Sequence, residues 1–311
     1  MFQLADARPS RAESLRFLSQ CLRIAGVLSL AAGIVFFVAA NWSRIAVFGR
    51  FALLEALFVA CAGVAFVKPP PSCVGKSALF LAFIIAGTML ALFGQTYQTG
   101  ADVYELFLSW ALLGLPLVWI ARWPVASAAW VLVLDTALLL YCGWHPRSGP
   151  LWMLFGGARF SPADVIMGAA LVNVLLWGLA EWRNHEAVPD WVRRLLITCA
   201  VGFATWAGVL ATTGEVIHSP DESAPTVFTP MLLLAIYGGL ALHTWRRATD
   251  VYPLALLMGS FIVVSLSWIV TRVKNFEEGM FLFVALYLIA TSTAGGRLLM
   301  SLQRRWQAVR P

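Results

Sequence analysis

The sequence predicts an all-α transmembrane bundle of about ten spanning helices. Apolar residues make up 60% of the chain and charged residues 12%, whereas a soluble globular chain carries roughly 25% charged residues. The mean hydropathy is +0.79. Apolar runs close to the roughly 20 residues needed to cross a hydrocarbon core recur along the whole chain, and tryptophans lie near their ends as in an aromatic belt. These features place the chain in lipid.

The N-terminal segment, residues 1–21, is polar and rich in arginine. Ser10 followed by Glu13 has the spacing of a helix-capping box, and Leu15 and Leu18 then recur at helical spacing. We predict a short amphipathic helix on the membrane surface that runs into the first span. No signal-peptide cleavage site is evident, so this span is expected to be retained.

The apolar runs divide into two membrane regions of five spans each. The first region covers residues 22–142 and the second covers residues 163–297, with an outer loop at 143–162 and a basic tail at 298–311. The predicted spans are 22–40, 48–67, 77–96, 103–121, 124–142, 163–182, 193–212, 228–246, 251–271 and 279–297.

The positions of the basic residues predict the orientation. Because ten is even, both termini share one side, and sixteen of the 22 Lys and Arg residues fall in segments on that side. Positive residues concentrate in the cytoplasm, so both termini are predicted to be cytoplasmic. The six on the outer side are Arg44, Arg50, Arg147, Arg159, Arg272 and Lys274.

Residues 77–123 form a hydrophobic hairpin whose two runs meet in a polar joint. Gln95, Tyr97 and Asp102 lie in this joint at the outer face. Asp102 and Glu105 are also spaced as a helix N-cap and its third residue, which explains them without any ligand. The joint is therefore either part of a polar site or a helix start.

Asn41, Arg44 and Arg50 share the outer face with this joint. The two arginines run against the positive-inside trend. They could hold a phosphate or a carboxylate. Alternatively, they cap helix ends and pair with Glu55, Asp102 or Glu105.

Two acidic residues, Glu55 and Asp135, lie well inside predicted spans, where an ionisable group costs on the order of 2.5 to 3.5 kcal/mol. The functional interpretation is a proton or cation site in a cavity open to the outer face, with Gln95 as a neutral ligand. The structural interpretation pairs Glu55 with Arg50 or Arg44 and bonds Asp135 to a Trp N–H or Tyr hydroxyl.

The sequence contains no known catalytic or cofactor-binding motif. HExxH, GxSxG, Walker A and the Rossmann glycine fingerprint are missing, and the four histidines are scattered. The five cysteines are isolated, as expected for small apolar residues. We predict no catalytic residue, no cofactor, no metal and no nucleic-acid partner. An intramembrane enzyme is the least favoured class.

The first half of the chain resembles the bacterial integral-membrane family called domain of unknown function 2157. The resemblance covers about residues 15–142 and rests on Ala40-Asn41-Trp42, Ile45, Gly94-Gln95-Thr96-Tyr97, Gly100-Ala101-Asp102, Trp110-Ala111-Leu112, Leu115-Pro116-Leu117 and Arg122. It implies a protein of the bacterial cytoplasmic membrane and supplies no substrate. It also draws attention to Asn41, Trp42, Gln95, Tyr97 and Asp102, which the topology already groups.

Two functions follow from these patterns. One is a transporter or permease-like protein for a small polar solute, ion or lipid headgroup, with a site near the outer ends of the first five spans. The other is a non-catalytic scaffold or sensor that packs against another envelope protein. A transporter predicts a wet cavity reaching Glu55 and Gln95, whereas a scaffold predicts a dry core and an apolar or small-residue lateral face.

Overall fold

The computed structural model describes residues 11–40, 45–97, 100, 102–144, 161–182, 188–217, 228–247, 250–272 and 279–309. Within these ranges all regular structure is helical. The helices are α1 Arg11–Ala40, α2 Val47–Val67, α3 Cys73–Tyr97, α4 Val103–Ala121, α5 Pro124–Trp144, α6 Pro162–Trp182, α7 Asp190–Ile217, α8 Phe228–Arg247, α9 Tyr252–Arg272 and α10 Gly279–Val309.

The described helices confirm the predicted fold class. Ten of them are long and apolar enough to cross a membrane, and each overlaps one predicted span. From Arg11 onwards, the predicted amphipathic segment and the first span form the single helix α1. Ser10, Asn41, Arg44 and most of the predicted outer loop lie outside the described residues.

The chain divides into two compact units, Met1–Val133 and Leu134–Pro311, and the boundary falls within α5. In the first unit α3 is the central helix, since α1, α2 and α4 all pack against it. Leu54 of α2 and Ile85 and Leu92 of α3 form a buried cluster there. In the second unit α6 and α7 form the most extensive helix pair, and they contribute most of the buried core.

An interhelical stack of two aromatic rings holds α3 against α4. The rings of Phe83 and Trp110 stack with centroids 5.2 Å apart, and the Trp110 indole N–H donates to the Phe83 carbonyl at 2.8 Å. Gly87 lies directly against the Trp110 ring and Gly114 against the Phe83 ring, so a Cβ at either position would overlap a ring. The two glycines therefore make room for the stack.

Hydroxyl pairs join α7 to α9 in the second unit. On α7 the hydroxyl residues recur every seven positions. The residue numbers of their partners on α9 rise in the same order, so the two helices are parallel. Thr205 and Ser260 lie well inside both helices, where such bonds add to the packing that associates helices in lipid, whereas Tyr252 is the first residue of α9. The pairs are Thr198 with Tyr252 at 2.7 Å, Thr205 with Ser260 at 2.5 Å and Thr212 with Ser267 at 2.7 Å.

Candidate functional site

Three polar side chains from three spanning helices meet inside the second unit. Asp135 of α5 is 9% exposed, Asn173 of α6 is fully buried, and Cys199 of α7 lies beside the Asp135 carboxylate. Asp135 and Asn173 each lie eleven residues from the start of a 21-residue helix. At 1.5 Å per residue this is about 16 Å along the helix, close to the middle of a bilayer core of about 30 Å.

Hydrogen bonding within this group leaves two oxygen atoms without a donor. The Asn173 amide nitrogen donates to Asp135 Oδ1 at 2.7 Å and to the Ala169 carbonyl at 3.3 Å, so both of its N–H groups are engaged. Asp135 Oδ2 and Asn173 Oδ1 are buried and have no hydrogen-bond partner among the described residues. A buried acceptor without a donor is costly, and a carboxylate more so than a neutral group.

The chemistry of this group suits a proton or a small cation. A proton on Asp135 would neutralise the carboxylate, and a cation would be attracted to its charge and to the amide oxygen. Among the described residues, however, no group of three or more His, Cys, Asp or Glu side chains could hold a metal ion. Proton exchange at Asp135 needs the fewest groups, because a single carboxylate suffices for it.

A second charged group lies where α6 ends and α7 begins. Arg193 is 6% exposed, and it pairs with Asp190 and, at 3.6 Å from Nε to Oε1, with Glu181. His243 Nε2 is 3.9 Å from Glu181 Oε2, and its ring makes an edge contact with Trp177 at 4.8 Å. The two carboxylates balance the positive charge of the buried arginine, and their ion pairs join the end of α6 to the start of α7.

In the first unit, the residues predicted for the polar joint lie at the end where α2 begins and α3 ends. The Tyr97 ring contacts Phe51 at 6.3 Å and Phe93 at 4.8 Å between centroids. The neighbouring Arg50 is half-buried, and its Nε donates to the Ile45 carbonyl at 2.9 Å. The structure thus brings Arg50 and Tyr97 to the same end of the unit.

The remaining predicted residues of the first unit are exposed. Gln95 and Glu55 point outward from α3 and α2, and Glu55 has no ion-pair partner among the described residues. Asp102 occupies the predicted N-cap of α4, but its side chain makes no capping hydrogen bond. Asn41 and Arg44 lie outside the described residues, so the pairing of Glu55 with Arg44 stays a prediction.

The prediction from the sequence includes Asp135 but neither Asn173 nor Cys199. Asn173 carries a signal, since it is an amide in the middle of an otherwise apolar span. Cys199 carries no such signal, because an isolated cysteine in a span usually behaves as a small apolar residue. The predicted partner of Asp135 was a Trp N–H or a Tyr hydroxyl, and the structure has the Asn173 amide in that role.

The helices and the buried polar group define a polytopic α-helical membrane protein. Residues 2–127 match the model of the family described as predicted membrane protein, DUF2157, which confirms the resemblance over that part of the chain. The match ends before Asp135. No curated protein and no solved structure matches the chain.

Proposed function

We propose that the protein is a membrane transporter that moves a small polar solute or ion and uses Asp135 as its proton- or cation-exchanging group. The observation that supports this is the pair of buried oxygens, Asp135 Oδ2 and Asn173 Oδ1, that have no donor among the described residues. Ionisable residues within spans mark ion pathways and proton relays, and transporter sites commonly lie near the bilayer midplane.

The proposal also includes location and orientation. The protein resides in the bacterial cytoplasmic membrane with both termini in the cytoplasm, as the distribution of basic residues favours. The outer end of the first unit, with Arg50, Gln95, Tyr97 and Asp102, is the proposed surface for recognising a polar solute. Asn41 and Arg44 belong to the same proposed surface by their position in the chain.

A scaffold or sensor is the second candidate function, and Glu55 favours it. This carboxylate is exposed on α2, within a span, and has no ion-pair partner among the described residues. Because a charged group facing lipid is costly, a basic or hydrogen-bonding residue of another envelope protein would relieve it. In that case Asp135 and Asn173 serve only to hold α5 to α6.

Native cysteines provide the test. Variants that retain only Cys199 or only Cys142 are treated, in intact cells and in inverted vesicles, with a small cationic membrane-impermeant thiol reagent. Cys199 lies beside Asp135, whereas Cys142 is buried in the apolar core and serves as the matched control. A third variant retaining only the exposed Cys21 shows that the reagent reaches the protein from the cytoplasmic side.

For a transporter we expect modification of Cys199 from at least one side, at a rate that changes when a pH gradient is imposed, with Cys142 unmodified. Asp135→Asn in the Cys199-only background should remove the gradient dependence. Protection of Cys199 from both sides, with Cys21 labelled, means a dry core and contradicts the transporter proposal. That result would favour the scaffold.

A further inference from the structure

An open apolar groove runs along the first unit between α1 and α2. It has two adjoining parts of about 480 and 300 Å³, which share Leu30 and Leu57. The larger part reaches α3 and is lined mainly by Val27, Leu30, Leu57, Ala60, Val64 and Leu81. These volumes fall within the range of about 300 to 1,000 Å³ that is typical of small-molecule sites.

The groove exists because α1 packs loosely. Ala31 is the one buried side chain that the structure describes in α1, although the helix is 30 residues long. From Arg23 to Phe37 the groove extends about 21 Å at the 1.5 Å helical rise. One leaflet of the hydrocarbon core is about 15 Å deep, so an acyl chain of one leaflet fits along it.

The end of the groove nearest the start of α1 is cationic. Arg23 lines it, and its Nη1 donates to Cys73 Sγ at 2.7 Å, although a thiol is only a weak acceptor. Lys76 follows Cys73 by three residues, and Lys68 caps the end of α2. The sequence from residue 56 to residue 101 contains no acidic residue, so no nearby carboxylate on α2 or α3 neutralises these cations.

We infer that this groove binds a phospholipid with an anionic headgroup. One acyl chain lies between Leu30 and Leu57, and the phosphate lies against the Arg23 guanidinium. Basic pockets between transmembrane helices bind anionic headgroups, and arginine can bind a phosphate with two parallel hydrogen bonds. The apolar length of the groove fits the acyl chain, and the positive charge at its end fits the phosphate of the same lipid.

The test is lipid retention by the purified, delipidated full-length protein. Phosphatidylglycerol or phosphatidylcholine with identical acyl chains is added in detergent, and bound lipid is counted by native mass spectrometry. The wild type should retain phosphatidylglycerol preferentially. Arg23→Gln should weaken phosphatidylglycerol binding about fivefold, since one basic residue near the headgroup contributes about 1 kcal/mol. Phosphatidylcholine binding should weaken less, because the choline cation already balances the charge of that lipid's phosphate.

Matched variants separate the two parts of the site. Arg16→Gln removes an exposed arginine two helical turns earlier on the same face of α1 and should change nothing. Ala60→Trp fills the groove and should reduce the binding of both lipids, whereas Ala52→Trp, at an exposed position of α2 outside the groove, should not. Thermal unfolding of each variant checks that it is folded.

Three results would overturn the inference. The first is equal retention of the two lipids by the wild type. The second is an Arg23→Gln protein that binds phosphatidylglycerol as the wild type does. The third is rapid disulfide-linked dimer formation in native membranes by a cysteine-free protein carrying Leu30→Cys, because a second copy would then occupy the groove.

Discussion

The two units associate their helices by different chemistry. In the first unit, aromatic rings and indole N–H groups make several of the described contacts between helices, as when Trp130 Nε1 donates to the Ala111 carbonyl at 2.8 Å. In the second unit, side-chain pairs such as Asp135 with Asn173 do so. Apart from the phenol of Tyr104, the buried polar or charged side chains that the structure describes belong to the second unit: Asp135, Ser161, Asn173, Arg193, Thr229, Thr244 and Ser260.

This difference bears on where function should be sought. The family match covers residues 2–127 and therefore falls within the unit whose described buried side chains are apolar apart from the phenol of Tyr104. Packing between rings and small residues is sufficient to associate helices in lipid. Burial of a carboxylate is not needed for that purpose, so the second unit is the better place to test for ion chemistry.

The largest expected effect comes from breaking the Asp135–Asn173 pair. Asn173→Leu should lower the free energy of unfolding by about 3 kcal/mol, because it leaves a buried carboxylate without its amide donor. The measurement is SDS-induced unfolding followed by tryptophan fluorescence.

The double variant Asp135→Leu/Asn173→Leu is the matched control. Replacing both partners of a buried hydrogen bond can be nearly neutral, so the double variant should be more stable than Asn173→Leu alone. If the single and double variants are equally stable, the pair is not energetically coupled, and the contrast between the units loses its main support.

An intermediate effect is expected at the ring stack of the first unit. Gly87→Ala and Gly114→Ala should each lower the free energy of unfolding by about 2 kcal/mol, since an added methyl group overlaps Trp110 or Phe83. Gly94→Ala is the control on α3, because its Cβ would have no neighbour within 4 Å. A loss at Gly94 equal to that at Gly87 would show that helix-wide strain, not the stack, is responsible.

The smallest effect concerns single hydroxyls. Thr205→Val should cost about 0.6 kcal/mol, the average for an interhelical hydrogen bond in a membrane protein, because Thr205 bonds across to Ser260. Thr88→Val in the first unit removes only a bond to the Ile84 carbonyl of its own helix and should cost less. Equal losses in the same unfolding assay would erase this distinction between the units.

The spans could be predicted because length and hydropathy determine them, but the face that each helix buries could not. Glu55 illustrates this limit: apart from Arg50 and Glu55 its helix is apolar or small all round, so no periodic pattern indicates which face is buried, and Leu54 is buried while Glu55 is exposed. Asp135 could be found from its charge alone. Its partner Asn173, 38 residues away, depends on how α5 packs against α6, which sequence spacing does not encode.

The three hydroxyl pairs between α7 and α9 also constrain how the second unit can move. A shift of α9 by one helical turn would break all three bonds together, and inside the spans the lipid core offers no water to replace the bond between Thr205 and Ser260. The two helices should therefore move together as one rigid body. Thr198 is next to Cys199 in the chain, so one of the three bonds that fix α7 to α9 lies close to the surroundings of Asp135.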